Sequence, residues 1–153
     1  MLNINDVAPN FKLPNQKGEL RDLSDYKGQY VVLYFYPKDN TPGCTTQACT
    51  YRDAMPTYTK NNIKVFGISK DDLKSHQKFE ADFDINFELL SDESRKTIET
   101  YGVWVEKNMY GKKVMGVERT TFVINPEGKI ANIFRKVDPK LDSEVVLKSI
   151  LGE

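Results

Sequence analysis

The chain has 153 residues, which suits one domain large enough to bury a core without staples. At 39% hydrophobic and 29% charged residues, its composition is that of an ordinary globular protein. The 22 Lys and Arg residues balance the 22 Asp and Glu residues, so nothing draws the chain electrostatically to nucleic acid or an anionic membrane.

The opening "MLNINDVAPNF" lacks a basic n-region and an apolar h-region, so no signal peptide is expected there. "NFKLPNQKGELRDL" predicts two short strands around the turn "NQKG", an N-terminal β-hairpin. From Tyr30 to Pro37, "YVVLYFYP" is apolar, aromatic and β-branched, the pattern of a central strand covered on both faces. Its apolar run is far too short to cross a bilayer, and the expected location is the cytoplasm. "TPGCTTQACTYRDAMPTYTK" predicts a helix in which Pro56 marks a kink or a stop. "IKVFGIS" (Ile63 to Ser69) is a second buried strand, and "DDLKSHQKFEADF" (Asp71 to Phe83) an amphipathic helix opened by Asp. "FELLSD" predicts a short strand, and "ESRKTIETYG" a helix ended by Gly102. "VWVEKNMYGKKVMG" reads as irregular, with Trp104, Met109 and Met115 serving packing. "RTTFVINPEGKIANIF" is a hairpin about the turn "NPEG". "LDSEVVLKSILG" closes the chain as a helix from a Ser143 cap to Gly152. His76, the only histidine, sits among polar residues and is expected in solvent, whereas Tyr34 and Tyr36 read as strand packing, with room for one to line a pocket.

Alternating strands and helices that end in strand, strand, helix predict a mixed sheet with helices on both faces. A β-α-β-α unit followed by β-β-α is the element order of a thioredoxin-like fold, here a single α/β domain spanning residues 1–153. Element order by itself carries no function.

Chemistry concentrates at the start of the first long helix. Thr41 is a good N-cap and Pro42 a favoured first helical residue, which puts Cys44 in the first turn. Unpaired backbone N–H groups and the positive end of the helix dipole favour an anion there. A thiol so placed should be more acidic than a free cysteine, and its thiolate is the nucleophile. Cys44, Ala48, Tyr51, Met55 and Tyr58 fall on one stripe that should face the sheet. Cys49 lies about 140° around the helix and belongs to another face with Thr45 and Arg52.

"PKDNTPGC" fits the P-x-x-x-T-x-x-C pattern of peroxiredoxins, with Pro37, Thr41 and Cys44 at its fixed positions. "TPGCTTQAC" and "SHQKFEADFDINFELLSD" resemble the bacterioferritin-comigratory-protein (PrxQ) group of that family. "GVERTTFVI" is similar to the family segment that carries a catalytic arginine, which falls on Arg119. The resemblance covers essentially the whole chain. It implies a thioredoxin-dependent peroxidase acting on hydrogen peroxide and organic hydroperoxides. Cys44 would be the peroxidatic thiolate and would pass through a sulfenic acid. Cys49 would resolve that acid as a disulfide, which a thioredoxin-like dithiol would reduce. Thr41 would hydrogen-bond the thiolate and peroxide, Arg119 would hold peroxide oxygens, and Pro37 would shield the site from water. No cofactor, metal, nucleic acid or membrane is implied, and the expected state is a monomer.

The residues alone leave other readings open. Arg119 taken by itself is a surface arginine at a strand end, and Thr41 a plain N-cap. A general thiol–disulfide oxidoreductase would more often carry C-x-x-C, which is missing. A metal-binding or disulfide-stapled module is the non-enzymatic alternative. Two cysteines and one distant histidine do not complete a structural zinc site. A bridge closing so short a loop would stabilise by only about 2 kcal/mol.

Overall fold

A computed structural model describes residues 1–152. The centre of the fold is β3 (Tyr30–Phe35), whose apolar residues alternate between the two faces of a sheet. Val31, Leu33 and Phe35 enter one core cluster, and Val32, Tyr34 and Tyr36 the other. Both clusters are filled, so the continuous apolar run predicted from "YVVLYFY" reflects double coverage.

The N-terminal hairpin is β1 (Lys12–Pro14) with β2 (Leu20–Asp22), followed by a single 3-10 turn at Leu23–Tyr26. After β3 come helix α1 (Pro42–Lys60), β4 (Ile63–Ser69), α2 (Leu73–Phe83) and β5 (Glu88–Ser91). A short helix α3 (Lys96–Thr100) leads to β6 (Trp104–Met109) and β7 (Lys112–Val117). The chain ends with β8 (Thr120–Ile124), β9 (Ile130–Phe134) and α4 (Asp142–Leu151). The main sheet has the order β5-β4-β3-β8-β9. β3, β4 and β5 are parallel, and β8 and β9 run antiparallel to their neighbours. Tyr51 of α1, Phe79 of α2 and Val146 of α4 pack on one face; Ile98 of α3 and the N-terminal Phe11 and Leu13 pack on the other. The fold is thus the expected mixed α/β sheet of thioredoxin type.

Four local expectations need correction. Helix α1 does not stop at Pro56 but continues to Lys60. A proline at this position offers no N–H to the Arg52 carbonyl one turn back. The Asn86 side-chain amide donates to that oxygen instead, at 3.2 Å. The stretch around Met109 is not irregular: β6 and β7 form a regular antiparallel hairpin. Its turn is Tyr110-Gly111, both at positive φ (55° and 80°), as a tight two-residue hairpin requires. Trp104 packs on the core as expected, but Met109 and Met115 are exposed on this hairpin. Ser143 does not cap α4: the helix begins one residue earlier without a side-chain cap, and Asp142 turns inward.

The fourth correction is His76, which is fully buried rather than solvated. Its Nδ1 lies 2.6 Å from Asp39 Oδ2 and its Nε2 3.1 Å from the Leu90 carbonyl oxygen. Tyr36 and Ser75 hydroxyls also donate to the Asp39 carboxylate, at 2.6 and 2.8 Å. This network pins the loop that leads into α1 to helix α2. The histidine shares its face with Phe79 and Phe83 at helical spacing, which is the sign of a core position.

Candidate active site

The loop at residues 37–41 carries the chain from the end of β3 to the start of α1. Pro37 is half-buried at its beginning, Asp39 is anchored by His76, and Asn40 takes a left-handed turn (φ 62°). Asparagine adopts that conformation more readily than most residues. Thr41 is extended and sits at the N-cap position of α1. Its hydroxyl does not cap the helix; it donates to the Lys38 carbonyl at 2.8 Å and closes the loop. Pro42 then occupies the first turn, where a missing N–H costs nothing.

Cys44 is the third residue of α1 and is buried. Its neighbours one turn on, Gln47 and Ala48, are buried on the same face, followed by Tyr51 and Tyr58. Arg119, just before β8, crosses the sheet edge to meet it. Arg119 Nη1 lies 3.4 Å from Cys44 Sγ and donates to Gln47 Oε1 at 2.8 Å. Among the described residues Arg119 has no carboxylate within ion-pair distance. The adjacent Glu118 is taken up by Arg135, at 3.6 Å, and by the Thr120 hydroxyl. Among the described residues, the sulfur in the first turn of α1 thus faces a guanidinium that has no counter-carboxylate.

Arg119 passes close to Gly43. A Cβ on residue 43 would stand 3.0 Å from Arg119 Nη2. A second cation is nearby. Lys107 of β6 lies across Gly116, where a Cβ would meet its aliphatic stem at 3.3 Å. Burial, and then the Arg119 charge, holds the Lys107 ammonium below its usual range, while Cys44 and Glu118 act in the opposite sense.

Behind the site lies a buried acid. Asp142 Oδ2 accepts from Gln47 Nε2 at 3.0 Å, the Tyr51 hydroxyl at 2.7 Å and the Thr121 hydroxyl at 2.8 Å. Burial raises the Asp142 carboxyl above its ordinary range; hydrogen bonds from Tyr51, Thr121 and Gln47 oppose the shift.

The structure therefore brings Cys44 and Arg119 into contact, with Pro37 and Thr41 in the adjoining loop. Cys49 is not part of that contact. It is a free, partly exposed thiol farther along the same uninterrupted helix, and Cys44 is free as well. His76 lies with Asp39 and Asp71 rather than with either cysteine. Gln47, Lys107 and Asp142 lie outside the motifs that the sequence offers. Gln47 follows Cys44 by three residues and so shares its helix face, a signal that was available. Lys107 and Asp142 reach the site only through tertiary packing.

The sequence profile described as the AhpC/TSA family matches residues 4–133. The putative peroxiredoxin bcp of Coxiella burnetii is 48% identical over 144 residues, covering 94% of each chain. The peroxiredoxin Bcp of Escherichia coli K12 is 44% identical over 146 residues, 95% of this chain and 94% of that one. Among solved structures, a Xylella fastidiosa PrxQ mutant superposes with a TM-score of 0.94 at 36% identity, covering 99% of this chain and 97% of its own. The bacterioferritin comigratory protein of Xanthomonas campestris, studied for alkyl peroxide reduction, gives a TM-score of 0.90 at 36% identity, with the same two coverages.

Proposed function

The chain belongs to the AhpC/TSA family, among its Bcp/PrxQ peroxiredoxins, and from that premise we propose that this thiol peroxidase works through Cys44 as peroxidatic and Cys49 as resolving cysteine. The observation that carries the assignment is the 3.4 Å approach of Arg119 Nη1 to Cys44 Sγ within the first turn of α1.

The Cys44 thiolate attacks one oxygen of the peroxide. An S–O bond forms as the O–O bond breaks, and the departing oxygen takes a proton to leave as water or alcohol. Arg119 offsets the charge on sulfur and, with donors beyond those turned to Cys44 and Gln47, holds the peroxide oxygens. The Thr41 hydroxyl spends its proton on Lys38, which leaves its oxygen to accept from the peroxide O–H. Pro37 screens the sulfur from water. The Cys49 thiolate then attacks the sulfenic sulfur, a disulfide forms and water leaves. A thioredoxin-like dithiol returns both thiols by supplying two electrons.

The alkyl peroxide reduction studied in the Xanthomonas campestris protein supports organic hydroperoxides as substrates beside hydrogen peroxide. The chain acts as one domain and as a monomer, in the cytoplasm; no helix among the described residues is long and apolar enough to cross a membrane. Peroxide-dependent NADPH oxidation coupled through thioredoxin and thioredoxin reductase tests the reading. Wild-type protein should sustain turnover and Cys44→Ser should abolish it, because a serine hydroxyl is not ionised at neutral pH. Turnover by Cys44→Ser at the wild-type rate would exclude Cys44 as the nucleophile.

A further inference from the structure

We propose that Asp142 is a positioning residue for the peroxide step, acting through Gln47 on Arg119; the inference rests on the assignment of Cys44 and Arg119 above. Asp142 opens α4 and is 2% exposed. An aspartate in the first turn of a helix ordinarily serves the helix dipole from the surface. Here Glu144 occupies that exposed place, and Asp142 points into the core. Among the described residues its Oδ1 has no partner, and its Oδ2 gathers three donors. Two of them, Gln47 and Tyr51, belong to α1, which carries Cys44. The third, Thr121, stands two residues after Arg119. A single oxygen atom thus ties together the two elements whose separation sets the distance between sulfur and guanidinium.

The same oxygen fixes the orientation of the Gln47 amide. Oδ2 is the acceptor for all three of its donors, so the amide turns Nε2 toward Asp142. Oε1 is then left to accept from Arg119 Nη1, the atom that also faces Cys44. With the amide reversed, an NH2 group would oppose a guanidinium, donor against donor. Asp142 touches neither sulfur nor arginine; it sets the angle from which the arginine works.

Stopped-flow oxidation by hydrogen peroxide, together with thiolate-absorbance titration of Cys44, tests this on the full chain. Asp142→Leu keeps side-chain bulk but accepts nothing. It should lower the peroxide rate constant about tenfold and move the Cys44 titration to higher pH. Asp142→Asn retains an oxygen for the same three donors and should stay close to wild type. Gln47→Glu would set two carboxylates against each other and should lower the rate. Adding Asp142→Asn should restore it, because the amide of residue 142 can donate to the new carboxylate. Circular dichroism verifies that each variant is folded; if Asp142→Leu is not, the Gln47→Glu pair decides. A folded Asp142→Leu with wild-type rate and titration, or a Gln47→Glu loss that Asp142→Asn does not reverse, would overturn the proposal. Arg119→Ala run in parallel separates the two levels. If it too leaves the rate unchanged, the assignment of Arg119 fails; if it alone slows the reaction, only the Asp142 relay fails.

Discussion

Arg119 passes close to Gly43 in the first turn of α1, and Cys44 is the group it meets there. A hydrogen-bond donor aimed at developing charge in a buried site commonly accounts for two to three orders of magnitude in rate. Arg119→Ala should therefore slow oxidation of Cys44 by about 100-fold while leaving the fold intact, measured by rapid mixing with hydrogen peroxide. Asp142 makes a second residue-level prediction, about stability. Burial raises its carboxyl in the folded chain, so the fold holds that proton more tightly than the unfolded chain does. The resulting stabilisation is complete below the unfolded carboxyl pKa of about 3.9 and is lost as pH rises through the higher folded value. Wild type should therefore lose stability relative to Asp142→Asn as pH rises through that range. Urea unfolding of both proteins at a series of pH values measures the difference, and a constant difference would contradict it.

Helix α1 holds both cysteines in one regular run, and this spacing has a consequence for the second chemical step. Five residues along an α-helix separate two Cα atoms by about 8.5 Å. A disulfide accepts about 4.4–6.8 Å. For Cys44 and Cys49 to join as proposed, the start of α1 must unwind once Cys44 is oxidised. The loop before it is held at Asp39 by His76, Tyr36 and Ser75, so the opening belongs to the turns that follow Thr41. Hydrogen exchange should show amides of residues 45–52 losing protection in the disulfide form while those of β3 keep theirs. Equal protection of α1 in both forms, with the bond verified, would exclude unwinding.

Elements with strong local signals were legible in the sequence. The start of α1 was written in Thr41, Pro42 and the stripe from Cys44 to Tyr58, and β3 in its unbroken apolar run. Elements that depend on a distant partner were not. Pro56 reads as a kink or a stop because the donor that replaces its N–H comes from Asn86, thirty residues on. The β6–β7 hairpin was hidden by Tyr110, a residue with no preference for the positive φ its turn requires.

Across the whole molecule the same division holds between what the chain states locally and what folding assembles. The sheet order places β8 beside β3, and so Arg119 beside Cys44, although 75 residues separate them. Motif resemblance named both residues, yet no local pattern gave their distance. His76 is buried against its polar sequence context for the same reason. Its polar neighbours in sequence are not its neighbours in space, where Asp39 and the Leu90 carbonyl surround it. Asp142 carried no sequence signal at all, since its three donors come from two other elements. The central claim is that one peroxide molecule is reduced by Cys44 and the product resolved by Cys49 within the same chain. Its most direct test treats the reduced protein with one equivalent of hydrogen peroxide, blocks the remaining thiols and maps peptides by mass spectrometry without reduction. The account predicts a peptide pair joined by a Cys44–Cys49 disulfide in monomeric protein, and a sulfenic acid trapped on Cys44 in Cys49→Ser. A sulfenic acid on Cys49, or disulfides that form only between chains, would contradict it.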